Sequence, residues 1–256
     1  MKKITAKTYD TILKTQDMRF QIDHYFEPKD KFWKDRIKRV LFYVNPQRGE
    51  KILDVGCGVG TFAFHVAKRG AHAIGIDYSR ESINIAKKIV AKYKLSGKAN
   101  YIVTNAIKMP FRRNSFNKIV CADFIEHIDI KETKKVVKEM VRVLKKGGLL
   151  VLYTPNRNPQ LLNVVYQKIK RVLMFKDPRA YNLLTPSPTH IGLKTPAELK
   201  QILKDSGLDF TLVLFARDLC LPFYLSTIWK FICQKFFLLN NLLAERILII
   251  GKKRYM

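Results

Sequence analysis

The sequence predicts an α/β fold, a doubly wound, seven-stranded, mostly parallel sheet with helices on both faces, extended by N-terminal lid helices and a cap insertion. Three observations carry this. Short apolar runs of β type recur at about 51–55, 72–76, 99–104, 117–121, 148–153, 209–216 and 246–252, separated by helical patterns. The first run ends in glycines at alternate positions, Gly56, Gly58 and Gly60, which lets the backbone turn sharply and approach a ligand without Cβ interference. The second run ends on Asp77, 21 residues after Gly56, where a carboxylate can accept both hydroxyls of a ribose. At 256 residues the chain fits one large domain with additions: a helical lid over 1–50, then a main domain over 51–256 interrupted at 155–194 and 219–243.

Taken in order, the first element is an amphipathic helix around 31–41, with Trp33, Ile37, Val40 and Leu41 on one face, expected to pack beside the first strand as a lid. Ser79 caps a helix running to about Lys94, and Asp129 with Glu132 forms a capping box ahead of Val136, Val137, Met140, Val141 and Leu144. Lys145-Lys146-Gly147-Gly148 is expected to end that helix with cations and a left-handed glycine. The 155–194 insertion carries seven Lys or Arg and a single acid, Asp177, with an apolar stripe at Leu162, Val165, Ile169, Val172 and Leu173. It follows the fifth strand and should overhang the carboxyl edge of the sheet as a substrate cap. Thr195-Pro196-Ala197-Glu198 starts another helix, which Gly207 stops. From Leu221 to Leu239 an apolar helical face of Leu225, Ile228, Trp229, Ile232, Phe236 and Leu239 is interrupted by Lys230 and Lys235, too soon to span a bilayer. That stretch suits a helix lying in a membrane interface, and equally one docked on the protein's own core or on a twin subunit.

The glycine turn decides the cofactor class. A dinucleotide fingerprint would place its third glycine at position 61, where this chain has Thr61. The observed G-x-G-x-G, with Asp54 two residues ahead, suits a ligand that has a ribose but no pyrophosphate. Here Leu53 to Thr61 resembles the first motif of the class I S-adenosylmethionine (SAM) methyltransferases, whose fold is a Rossmann-like sheet. Asn105-Ala106-Ile107-Lys108-Met109-Pro110-Phe111 looks like the family segment D-A-x-x-L-P-F, with Asn105 in place of the acid, and Ser115 to Ile128 resembles the fourth-strand motif that ends in L-E-H-V. The likeness covers about residues 30–216 and is similar to the ubiquinone and menaquinone branch. It implies cofactor contacts at Asp54, Gly56, Cys57, Gly58 and Gly60, at Asp77 and Tyr78, at Asn105 and Ala106, and at Ala122 and Asp123. Arg36 matches a family arginine that can face the methionine carboxylate.

Glu126 and His127 are the catalytic candidates, because a histidine titrates near neutrality and can take a proton from a hydroxyl or an acidic carbon. His190 matches the H-x-x-x-x-T-P-x-E-L stretch of the same relatives and is the third candidate. Each has a structural alternative, a histidine bonded to a loop carbonyl or carboxylate. No metal site is expected, since Asp123, Glu126 and His127 would form one only by converging.

The bulk composition widens the choice of acceptor. Net charge is +27, from 48 Lys and Arg against 21 Asp and Glu, which attracts RNA, DNA or anionic lipid headgroups. The four cysteines lack metal-ligand or disulfide spacing, and the basic start lacks an apolar signal region, so a cytoplasmic chain is expected, peripheral to the inner face of the membrane if 221–239 lies there. The leading expectation is O- or C-methylation of a small lipophilic or lipid-linked acceptor by a monomer or homodimer. Methylation of tRNA or rRNA is the alternative, and a non-catalytic SAM-fold binding protein is the alternative of another class.

Overall fold

The computed structural model describes residues 10, 11, 13, 17–159, 172–174, 192–204, 206–216 and 244–255. Its centre is a seven-stranded sheet in the order β3-β2-β1-β4-β5-β7-β6. The strands are β1 Lys51–Val55, β2 His72–Asp77, β3 Ala99–Val103, β4 Phe116–Ala122, β5 Leu144–Pro155, β6 Leu208–Ala216 and β7 Ala244–Lys253. All neighbouring pairs from β3 through β5 are parallel, and β7 is antiparallel to both β5 and β6. All seven expected strands are present.

Alternate side chains of the central strands feed two cores. Ile52, Val120 and Val151 meet the helices Lys31–Val44, Thr61–Lys68 and Arg80–Lys92 on one face. Leu53, Ile119 and Leu150 meet the helices Ile130–Val143 and Pro196–Lys204 on the other. Strands buried on both faces have to be apolar throughout, which is why the runs were legible as strands. The helix starts follow the capping logic as well. Ser79 accepts from the Ser82 N–H, Asp129 from Glu132, and Thr195 and Glu198 exchange reciprocal bonds at 3.2 and 2.8 Å.

Two expectations are corrected. The Lys31–Val44 helix has its principal packing against β4, β5 and the Thr61–Lys68 helix rather than beside the first strand. The fourth long helix stops at Val143 without a left-handed cap, because Leu144 is extended and already pairs with Phe116. Lys145 and Lys146 therefore belong to β5, and Gly147, at φ 70°, sits where the register jumps between the Phe116 and Lys118 pairs. Val172 and Leu173, of the apolar stripe in the 155–194 insertion, are exposed. The rest of that stripe, His190 and the 221–239 helix lie outside the described residues.

His65, on the Thr61–Lys68 helix, carries a pH prediction. Its Nε2 is buried without a hydrogen-bond partner, and burial together with the Lys68 charge lowers its pKa to about 4. Between about pH 6.5 and 4 the unfolded chain takes up a proton that the folded chain refuses, so folding stability falls as pH falls through that window. His65→Gln will show a smaller loss of denaturant midpoint between pH 7 and 4.5 than wild type; an equal loss would remove His65 from the account.

Candidate functional site

The site lies at the carboxyl edge of the sheet, where β1 and β4 are neighbours while the chain has crossed to β2 and β3 between them, the switch point at which such sheets bind ligands. Past Val55 the backbone turns through Gly56 at φ 68° and Gly58 at φ 52°, left-handed values that favour glycine. A Cβ on Gly56 would lie 2.2 Å from the Phe124 ring, so the turn after β1 and the tip of β4 approach each other only because the side chain is absent. Gly58 has open space in front of it. Gly60 caps the following helix and accepts from the Tyr101 hydroxyl at 3.3 Å, away from the cavities.

Two cavities meet here. One, of about 450 Å³, is lined by Asp77, Tyr78, Asn105, Ala106 and Ile107. The other, of about 350 Å³, is lined by Arg36, Asp54, Cys57, Ala122, Glu126 and the aromatic rings of Tyr25, Trp33 and Phe62. Gly56, Gly58, Ser82, Asp123 and His127 border both. All the candidate residues in the described parts except Gly60 therefore line one cavity or the other.

Asp77 is held by the loop it serves. Its two carboxylate oxygens accept from the Gly58 and Ser79 N–H groups at 2.9 and 2.8 Å, which leaves further lone pairs on each oxygen for a ligand's hydroxyls. Burial raises its pKa, and those N–H bonds oppose the rise. Asp54 is fully buried, accepts from the Ala63 N–H at 3.0 Å, and burial raises it to about 7. Asn105, exposed at the rim, accepts from the Ile107 N–H at 2.9 Å and so also makes the local turn.

Asp123 sits at φ 51° and links two arginines, Arg36 through Nε and Arg246 through Nη1 at 2.7 Å. Burial works to raise this carboxyl, but the two guanidinium charges outweigh it and hold its pKa below the ordinary range. Arg36 is also stacked on Trp33 and Phe62, yet its Nη1 is buried with no partner. An unpaired buried guanidinium nitrogen is costly and fits a carboxylate arriving in the second cavity. Next to it Glu126 accepts from the Thr154 hydroxyl at 3.1 Å, and burial, reinforced by the Asp123 charge, raises it to about 8. Among the described residues no group of three or more His, Cys, Asp or Glu could hold a metal ion.

Part of the sequence and the fold match known proteins. Residues 52–148 match the family described as a methyltransferase domain. That match takes in less than half of the chain, which over this stretch is similar to the class I SAM-dependent methyltransferases. It is 28% identical over 204 residues to a ubiquinone biosynthesis O-methyltransferase of Chromobacterium violaceum, covering 73% of this chain and 82% of that one. It is 35% identical over 107 residues to ajmaline N-methyltransferase of Rauvolfia serpentina, where the match spans 41% of this chain and only 36% of that enzyme. The solved structure of a SAM-dependent methyltransferase from Methanosarcina mazei shares the fold with a TM-score of 0.59 at 23% identity, covering 82% of this chain and 95% of that one. SAM is the cofactor of this methyltransferase fold. Arg36, Asp77 and the bare Gly58 are the residues that fit its carboxylate, ribose and approach.

Residues the sequence did not single out are Arg246, Thr154 and the ring of Tyr25. Arg246 reads as a charge at the start of an apolar strand, and only the pairing of Pro155 with Arg246 brings it to the tip of β4.

Proposed function

We propose that this methyltransferase moves the methyl group of SAM to a small lipophilic or lipid-linked acceptor by O- or C-methylation. The observation that carries it is the second cavity, apolar and aromatic at Leu13, Tyr25, Trp33 and Phe62, which abuts the nucleoside cavity across Asp123 and His127. When bound, SAM supplies an already activated methyl on a sulfonium, so alignment and exclusion of water provide most of the rate. Asp77 and the glycine turn fix the nucleoside. Arg36 takes the carboxylate, and the packed rings give the acceptor a dry wall.

His127 borders both cavities, which supports it as the group that takes the acceptor's proton. Glu126 stays protonated below about pH 8 and serves better as a buried hydrogen-bonding support for that turn than as the base. His127→Gln will lower the rate on a hydroxyl acceptor by about 10²-fold while SAM affinity holds, checked by initial rates across pH beside calorimetry. Loss of SAM affinity in parallel with the rate would place His127 in donor binding instead.

The test of the proposal is transfer of labelled methyl from SAM into fractionated lipid and RNA extracts. The +27 net charge favours RNA as the second reading, and label appearing in RNA alone would select it. No label in any fraction, with SAM still bound, would favour a binding protein. Contact of 221–239 with an anionic membrane surface belongs to the same proposal and is read by vesicle flotation with and without that segment. Among the described residues no helix is long and apolar enough to cross a membrane.

A further inference from the structure

Lys194 stands at the closing end of the 155–194 insertion, bridged to Asn156 and accepting from the Arg157 N–H at 3.1 Å. Its side chain is wholly buried. The ammonium donates to the carbonyls of Ile125, Ile128 and Gly192, so all three of its donors are used. Ile125 and Ile128 bracket Glu126 and His127, and the Ile125–His127 segment is a single 3₁₀ turn closed by the Ile128 N–H on the Ile125 carbonyl at 3.4 Å. The same stretch reaches that turn a second time, through the Gly192 N–H to the Glu126 carbonyl at 2.8 Å. A Cβ on Gly192 would lie 1.8 Å from the Ile128 oxygen, so the approach needs glycine.

A buried lysine is costly, and burial lowers this one to about 8. An apolar side chain would fill the same space at less cost but would take the donor from the Ile128 and Gly192 carbonyls and leave Ile125 only the Ile128 N–H at 3.4 Å. What lysine adds there is a fixed orientation for the residues between those carbonyls.

We propose that Lys194 is a positioning residue for methyl transfer: by tying the Ile125–Ile128 turn it sets the direction in which His127 faces the junction of the two cavities. The proposal rests on the methyl-transfer reading above. Its test compares Lys194→Met, Lys194→Arg and Gly192→Ala in the full chain. It reads S-adenosylhomocysteine affinity by calorimetry, amide hydrogen exchange at residues 126–128 in that complex, and the initial rate of labelled methyl transfer into lipid extract. In Lys194→Met, affinity should change by less than about threefold while exchange at the turn rises and the rate falls by about tenfold or more. Lys194→Arg should recover most of both, and Gly192→Ala should reproduce the defect without removing a charge. Unchanged exchange and rate in Lys194→Met, or a parallel loss of affinity, would overturn the proposal. Should Lys194→Met not fold, Gly192→Ala and Lys194→Arg decide through exchange and the His127 imidazole titration followed by NMR; wild-type behaviour of Gly192→Ala in both then overturns it. A wild type that transfers no methyl defeats the activity reading by itself, while exchange and titration still decide whether Lys194 holds the turn.

Discussion

Replacing Asp77 with alanine will lower SAM affinity by about 10²-fold or more, measured by calorimetry with SAM and with S-adenosylhomocysteine. Two hydroxyl bonds to a charged acceptor are each worth about 1.5–3 kcal/mol, and 1.4 kcal/mol is a factor of ten. The substitution also strands the Gly58 and Ser79 N–H groups that the carboxylate now satisfies, so the glycine turn loses its brace. Asp77→Asn keeps the shape and one acceptor oxygen and should fall between the two. Undiminished binding by Asp77→Ala would show that the ribose is held elsewhere.

The second large effect is on stability. Asp123→Ala removes the shared partner of Arg36 and Arg246 and leaves two largely buried cations in the lining of the second cavity. Breaking a buried ion pair from one side costs about 3–5 kcal/mol. The melting temperature of the ligand-free protein should drop accordingly, and Asp123→Ala combined with Arg246→Met should recover part of the loss, since one stranded charge is then gone. A single variant as stable as wild type would mean that solvent reaches both guanidiniums. SAM binding should partly rescue the single variant's melting temperature, because the ligand's carboxylate supplies the missing anion for Arg36.

How much of this was legible in the sequence depends on whether a residue's role is set by its neighbours along the chain. The G-x-G-x-G turn, Asp77 at the end of the next strand, and the caps at Ser79, Asp129 and Thr195 are local devices, read from spacing and found where expected. The end of the Ile130–Val143 helix is not set locally: Lys145, Lys146 and Gly147 make a good stop, while pairing of Leu144 with Phe116, a contact 28 residues apart, takes precedence. Arg246 and Lys194 could not be read at all. One owes its place to antiparallel pairing with β5, the other to carbonyls of a turn more than 60 residues upstream. Charges in such positions look like ordinary surface residues until the sheet is assembled. Arg36 was visible only through likeness to a family, since its helix periodicity says that it is near the core and nothing about what it meets.

The two arginines on Asp123 come from opposite ends of the chain, Arg36 from the helix before the first strand and Arg246 from the last strand. On a ribosome the glycine turn and Asp77 emerge early, yet the chamber beside them has one wall missing until residue 246 has been made and paired with β5. The glycine turn and the chamber beside it are thus completed at widely separated points of synthesis.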